Sequence, residues 1–238
     1  MQEAIWIITP PSQQAEKISV ELDLPLAISK VLVNRRIFNP DSAFNFLFAS
    51  LDDLHSPYRM KDMKKAVRRI KEAISKGERI LIFGDYDVDG ILSIVILTKA
   101  LKSLGAEVSY FIPNRLKDGY GLKEKYMSIV EEKRASLVMS VDCGIKATAF
   151  VSRARRKGID VVITDHHQPG SELPSALAIL NPVLPNCDYP DKRLAGVGVV
   201  FKLIQTLMDG YQGPSELSSY LKMVSIATIA DVAALRGE

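Results

Sequence analysis

Ile80-Leu81-Ile82-Phe83-Gly84-Asp85-Tyr86-Asp87-Val88-Asp89-Gly90 is the stretch from which the fold can be read. Its first four residues form a short, unbroken apolar run. That is the mark of a strand buried on both faces, and such strands belong to parallel sheets. Carboxylates at alternate positions follow at once. In extended chain alternate side chains share one side, so Asp85, Asp87 and Asp89 are expected to point together. A helical run, Ile91 to Leu104, comes next and closes on Gly105.

The same unit recurs downstream. Strands are predicted over Val108–Ile112, Leu137–Val141, Ile159–Ile163 and Leu177–Leu180. Helices are predicted over Lys123–Lys133, Lys146–Lys157, Gly198–Met208 and Pro214–Ile229. Strands and helices in this alternation imply an α/β fold: a parallel, Rossmann-like sheet with helices on both faces. Residues 1–78 show few strand patterns and read as a helical N-terminal arm, with residues 79–238 as the α/β domain. In the arm, Asn39 is placed to cap a helix that begins at Pro40. A second helix runs from Asp62 to Ser75, with Ala66, Ile70, Ala73 and Ile74 on one face and Gly77 past its end.

Composition narrows the class. A chain of 238 residues suffices for one large α/β domain, alone or with a helical appendage. No apolar run reaches the roughly 18–20 residues of a membrane span. The opening MQEAIWIITPPSQQ lacks the basic and long apolar regions of a signal peptide. Cys143 and Cys187 cannot make a disulfide framework and fit a reduced, cytoplasmic chain. The net charge of +3 neither demands nor excludes nucleic acid. The stretch Lys61–Arg79 is locally basic: Lys61, Lys64, Lys65, Arg68, Arg69, Lys71, Lys76 and Arg79 stand against Asp62, Glu72 and Glu78. It reads equally as a solvated helix face or as a binding patch.

Ligands of open parallel sheets bind beyond the carboxyl ends of the strands. There stand Asp85, Asp87 and Asp89 after the first strand, Asp142-Cys143-Gly144 after the third, and Asp165-His166-His167 after the fourth. One aspartate after a strand is usually a helix cap or turn residue. Converging carboxylates repel one another unless a cation lies between them, so several strand ends together imply metal. Carboxylates suit Mg²⁺ and Mn²⁺, and an added imidazole tilts the set toward Mn²⁺. Asp231 sits in the apolar stretch Ile226–Val232, where either a metal or a capping role would offset its expected burial. Gly196-Val197-Gly198 is a poor dinucleotide fingerprint, lacking the third glycine and a preceding strand, and no P-loop pattern occurs.

These motifs resemble those of the DHH phosphoesterases in their RecJ form. Ile82–Gly90 is similar to the first family motif, Val141–Ile145 to the second, Thr164–His167 to the third and Ala227–Val232 to the fourth, in the family order. Pro113-Asn114-Arg115, Gly119-Tyr120-Gly121-Leu122, Asn181-Pro182 and Leu194–Gly198 are RecJ-like as well. The resemblance implies a two-metal phosphodiesterase that degrades single-stranded DNA from its 5′ end to 5′-mononucleotides, in DNA repair and recombination. It implies two divalent cations, Mn²⁺ in preference to Mg²⁺. The implied metal ligands are Asp87, Asp89, Asp142, His166 and Asp231, with Asp142 bridging and Asp85 a further candidate. His167 would touch the scissile phosphate, and Asp165, like Asp85, would orient a ligand. By its place after the second strand, at the same sheet edge, Arg115 reads either as a bidentate phosphate clamp or as a solvated loop arginine. Tyr120 is either a base-stacking residue or a loop anchor. A helicase and a single-strand-binding protein are the implied protein partners, with no membrane. The family continues past its fourth motif into a second domain, so this chain is expected to hold the catalytic domain without it. The alternatives are a DHH hydrolase acting on short RNA or nucleotides, and a scaffold that has lost catalysis.

Overall fold

The structure, a computed structural model, describes residues 12–209, 214–235, 237 and 238. The reading of MQEAIWIITPPSQQ as no signal peptide therefore falls almost wholly outside the described residues. By compactness the chain divides into two units, one ending at Leu54 and the other running from His55.

The first unit is helical: α1 (Gln13–Glu21), α2 (Leu26–Asn34) and α3 (Pro40–Phe48). Ile18, Leu32 and Ala43 form its small core, flanked by Leu22, Leu24, Val33 and Ile37. Asn39 caps α3 as its sequence predicts, accepting from the Ser42 N–H at 2.8 Å, with Pro40 opening the helix.

The second unit runs from His55 and includes α4 (Met63–Ser75). The helix belongs there by its apolar face. Met63, Ala66, Val67, Ile70 and Ala73 are buried, and α4 packs on a strand and a helix of the α/β unit. Asp62, at its start, accepts from the Ile179 N–H of that strand at 3.3 Å.

Then come β1 (Arg79–Gly84), α5 (Val88–Ser103), β2 (Glu107–Phe111), α6 (Arg115–Asp118), α7 (Met127–Glu132), β3 (Leu137–Val141), α8 (Thr148–Arg156), β4 (Asp160–Thr164), β5 (Ala178–Leu180), α9 (Gly196–Leu207) and α10 (Pro214–Ala230). The five strands form one sheet in the order β2-β1-β3-β4-β5, with every neighbouring pair parallel. Residues of β1, β3, β4 and β5 are almost all buried, as unbroken apolar strands require. The helix expected over Lys123–Lys133 is instead a 3₁₀ turn, Glu124–Tyr126, followed by the short α7.

α5 packs on β1, β2 and β3, α8 on β4, and α7 on α8; for this strand order the right-handed crossover rule sets α5 on the face opposite α7 and α8. α9 and α10 pack on α5, and α4 packs on α9. Each fully buried leucine, isoleucine or phenylalanine stabilises this arrangement by roughly 1.5–3 kcal/mol. From β1 the chain turns toward β2, and from β3 it turns toward β4. The strand order reverses between β1 and β3, so a crevice opens beyond their carboxyl ends. Among the described residues, no helix is long and apolar enough to cross a membrane.

Candidate metal centre

Five segments meet at this crevice. The loop after β1 brings Asp85 and Asp87, and the first turn of α5 brings Asp89. The loop after β3 brings Asp142, the loop after β4 brings Asp165, His166 and His167, and the end of α10 brings Asp231. Their ligand atoms gather in three overlapping sets: Asp85, Asp87 and Asp142; Asp89, His166 and Asp231; and Asp142, His166 and His167. Within each set these atoms lie within 4.8 Å of one another.

Of the three alternating carboxylates, Asp85 and Asp87 do fall together, but Asp89 does not. Asp87 is the N-cap of α5, its Oδ1 accepting from the Gly90 N–H at 2.9 Å, so the chain is already helical at Val88. The turn carries Asp89 away from the other two, toward His166 and Asp231. The helix thus separates the acidic run into two ligand sets.

Asp89 is buried and held by the start of α9. Its Oδ2 accepts from the Gly196 N–H at 2.6 Å and its Oδ1 from the Val197 N–H at 2.8 Å. A helix N-terminus is the place in a fold best suited to a buried carboxylate. Gly196 is required there, because a Cβ would fall 2.7 Å from Asp142 Oδ1.

Asp142 is buried at φ +58, a left-handed conformation that aspartate tolerates better than most residues. Its Oδ1 approaches His166 Nε2 at 3.1 Å, yet the pair lacks hydrogen-bond geometry. Both atoms, with Asp85 Oδ1, are buried without a hydrogen-bond partner among the described residues. Burial, then the charges of Asp89 and Asp87, pushes the Asp142 carboxyl up to about 10. Burial likewise raises Asp89 and Asp85. His166 reaches Asp231 through Nδ1 at 3.9 Å. Asp231 is less buried than its apolar neighbours predict, with a quarter of its side chain (26%) exposed. Orphaned buried oxygens and a ring nitrogen, among carboxyls that resist ionisation, are what a divalent cation would satisfy. The donor set of carboxylates and imidazole fits Mn²⁺ or Mg²⁺.

Asp165 has a different role. Its Oδ1 accepts from the backbone N–H groups of His166 and His167 at 2.8 and 3.0 Å and meets His167 Nδ1 at 2.8 Å. Its Oδ2 accepts from the Ile145 N–H at 2.9 Å. With both oxygens engaged, it orients the two histidines. That hydrogen bond is also the chief reason the His167 pKa is raised. Asn181, which the sequence reading left without a role, donates from Nδ2 to the His167 carbonyl at 2.9 Å.

Arg115 opens α6, beyond the end of β2, and lies over the Tyr86 ring at 5.2 Å. The Tyr120 hydroxyl donates toward the Asp142 carbonyl at 3.4 Å and lies 3.3 Å from His167 Nδ1. The two rings meet edge to face. Of the two readings of Tyr120, the anchor is the one this contact supports.

The basic stretch has an ordinary explanation for part of its charge. Arg69 pairs with Glu78 and Asp160, at the opposite ends of β1 and β4 from the carboxylates. Lys65 pairs with Asp62 and Lys76 with Glu72.

The sequence model of the DHH family, N-terminal domain, matches residues 79–229. This chain belongs to the DHH family. It is 42% identical over 234 residues to the single-stranded-DNA-specific exonuclease RecJ of Bacillus subtilis (strain 168), covering 98% of this chain and 29% of that protein. To the RecJ of Thermus thermophilus it is 35% identical over 220 residues, 90% of this chain and 32% of that one. The crystal structure of the Thermus RecJ in complex with Mn²⁺ superposes with a TM-score of 0.76 at 30% identity, covering 96% of this chain and 32% of that chain. A second structure, exonuclease RecJ bound to manganese, gives a TM-score of 0.68 at 36% identity, over 75% of this chain and 45% of that one. The chain thus spans about a third of the length of the curated relatives it matches.

Proposed function

We propose that this chain carries the catalytic centre of a metal-dependent exonuclease that hydrolyses single-stranded DNA in the 5′→3′ direction to 5′-mononucleotides. The observation that carries the proposal is the set of ligand atoms around Asp142, with their unpartnered buried oxygens and ring nitrogen. The RecJ relatives and their manganese-bound structures support the substrate and the metal.

Asp89, His166 and Asp231 would hold one ion, and Asp87 and Asp142, with Asp85, the other. Asp142 stands between the sets, 3.1 Å from His166. When bound, two such ions activate water for attack on phosphorus and stabilise the leaving oxygen. The remaining roles belong to side chains. Asp165 favours the protonated form of His167 and engages its Nδ1, leaving Nε2 to donate to a non-bridging phosphate oxygen. Arg115, steadied on Tyr86, would clamp a neighbouring phosphate bidentately. Tyr120 positions His167. Backbone contacts of this kind read no sequence, as expected of a nuclease that must accept every base. A helicase and a single-strand-binding protein are the partners this reading proposes, with the cytoplasm as the place of action.

The test is a 3′-labelled, 5′-phosphorylated single-stranded DNA oligomer incubated with Mn²⁺, with Mg²⁺ and with chelator, beside a matching RNA. Shortening from the 5′ end is expected with metal, lost in chelator and in Asp142→Asn, and weak on RNA. Equal or faster cleavage of RNA would move the substrate to short RNA. No cleavage by a folded, Mn²⁺-binding chain would refute catalysis by this chain as it stands.

A further inference from the structure

Lys202 and Glu238 form a buried ion pair that plays no part in the metal centre itself. Lys202 lies within α9, 2% exposed, and its ammonium meets Glu238 Oε1 at 2.6 Å; the Glu238 side chain is 5% exposed. Tyr189 donates its hydroxyl to Glu238 Oε2. The Glu238 N–H donates to Asp191 Oδ2 at 3.0 Å. At Gly237 (φ +87) a Cβ would fall 2.4 Å from the same oxygen, so the backbone lies hard against this loop. Buried ion pairs contribute little net stability, because desolvation offsets their attraction. A geometric role explains this one better.

What the pair would fix lies a few residues upstream. Asp231 directly follows α10. Val232, next along, stands at φ +56, a conformation that β-branched residues avoid. Val232 is 87% exposed, so packing does not hold it there. The helix end is closed by the Val232 N–H to Ile229 and the Ala233 N–H to Thr228, at 3.1 and 3.2 Å. The chain is therefore pinned on both sides of Asp231: by the helix end before it and by the Gly237–Glu238 seat after it. One helix links this seat to the metal centre. The N-terminal amides of α9 hold Asp89, and Lys202 of α9 holds Glu238.

We infer that the Glu238–Lys202 pair is a positioning device for Asp231, setting its carboxylate opposite Asp89 and His166 through the shared helix α9. The inference rests on the metal-centre reading. Partners that orient a metal ligand without touching the ion commonly change its affinity by about 10–100-fold.

The experiment is a Mn²⁺ titration of the whole chain followed by electron paramagnetic resonance, well below the melting temperature. It compares wild type, Asp231→Asn, Glu238→Gln and the double variant. Should Glu238→Gln leave Lys202 too costly to bury, Lys202→Met with Glu238→Gln removes both charges at similar volume and serves in its place. About tenfold weaker binding of one ion is expected from Glu238→Gln, while the double variant should bind no worse than Asp231→Asn alone, since the two changes act on one ligand. Wild-type affinity in the folded Glu238 variant, or losses that simply add, would overturn the inference. If wild type itself binds no Mn²⁺, the metal-centre reading fails and this inference with it.

Discussion

At Asp165 and His167 one carboxylate decides how two imidazoles are presented. Asp165 accepts from three backbone N–H groups and from the His167 ring, so His167 can act only through its other nitrogen. His167 also lies within ligand distance of Asp142 and His166, and metal binding is the competing role. His167→Ala separates the two. As a phosphate contact, its loss should lower turnover by about 10²–10³-fold, the usual effect of removing a donor to developing charge, while Mn²⁺ affinity stays near wild type. A parallel fall in Mn²⁺ affinity, read by calorimetry, would make it a ligand instead. Much of this scale was legible in advance, because a carboxylate or imidazole after an apolar strand is visible as residue type. Asp89 departs from the alternation of extended chain because Asp87 already caps a helix. The expected burial of Asp231 failed too, because its apolar neighbours do not enclose its carboxylate.

The element that sequence reading undervalued is α9. Its Leu194–Gly198 start was recognisable as a family-like stretch, but its contribution is made by two backbone N–H groups, and those leave no trace in residue type. The glycine does leave one, but neither a family-like stretch nor a nucleotide fingerprint says what its missing Cβ makes room for. Gly196→Ala should be damaging despite its small size. The added Cβ would press on Asp142, whose Oδ1 would lie 2.7 Å away. The expected cost is roughly 1–3 kcal/mol of stability, as for other overpacked sites, together with weakened Mn²⁺ binding. Thermal melts with and without Mn²⁺ would check both. A variant that melts and binds like wild type would show that helix and strand end can move apart, which the account does not allow.

Across the whole molecule, class and topology followed from the spacing of the apolar runs, because strands that alternate with helices leave few ways to connect. The packing of α4 was not legible, since it looks like its helical predecessors and differs only in what its apolar face covers. The larger unit is also tied at the edge opposite the metal centre, where Arg69 of α4 joins Glu78 before β1 and Asp160 at the start of β4. Burial acts to raise the Glu78 carboxyl, but Arg69 and Ser136 hold it below its ordinary value of 4.5. A carboxyl lowered on folding contributes stability above its unfolded value. That stability is lost as pH falls through the folded value. Glu78→Gln should therefore cost on the order of 1–2 kcal/mol near pH 7 and narrow its gap to wild type below about pH 4. Urea melts at both pH values would show this, and a gap independent of pH would exclude the ion pair as its source.

On the proposed reading the strand ends around Asp142 form a two-ion centre. Anomalous diffraction at the manganese edge from crystals of this chain grown with Mn²⁺ tests it most directly. Two peaks are predicted, one among Asp89, His166 and Asp231 and one among Asp85, Asp87 and Asp142, the second absent in Asp142→Asn. Peaks elsewhere, or none at saturating Mn²⁺, would contradict the account.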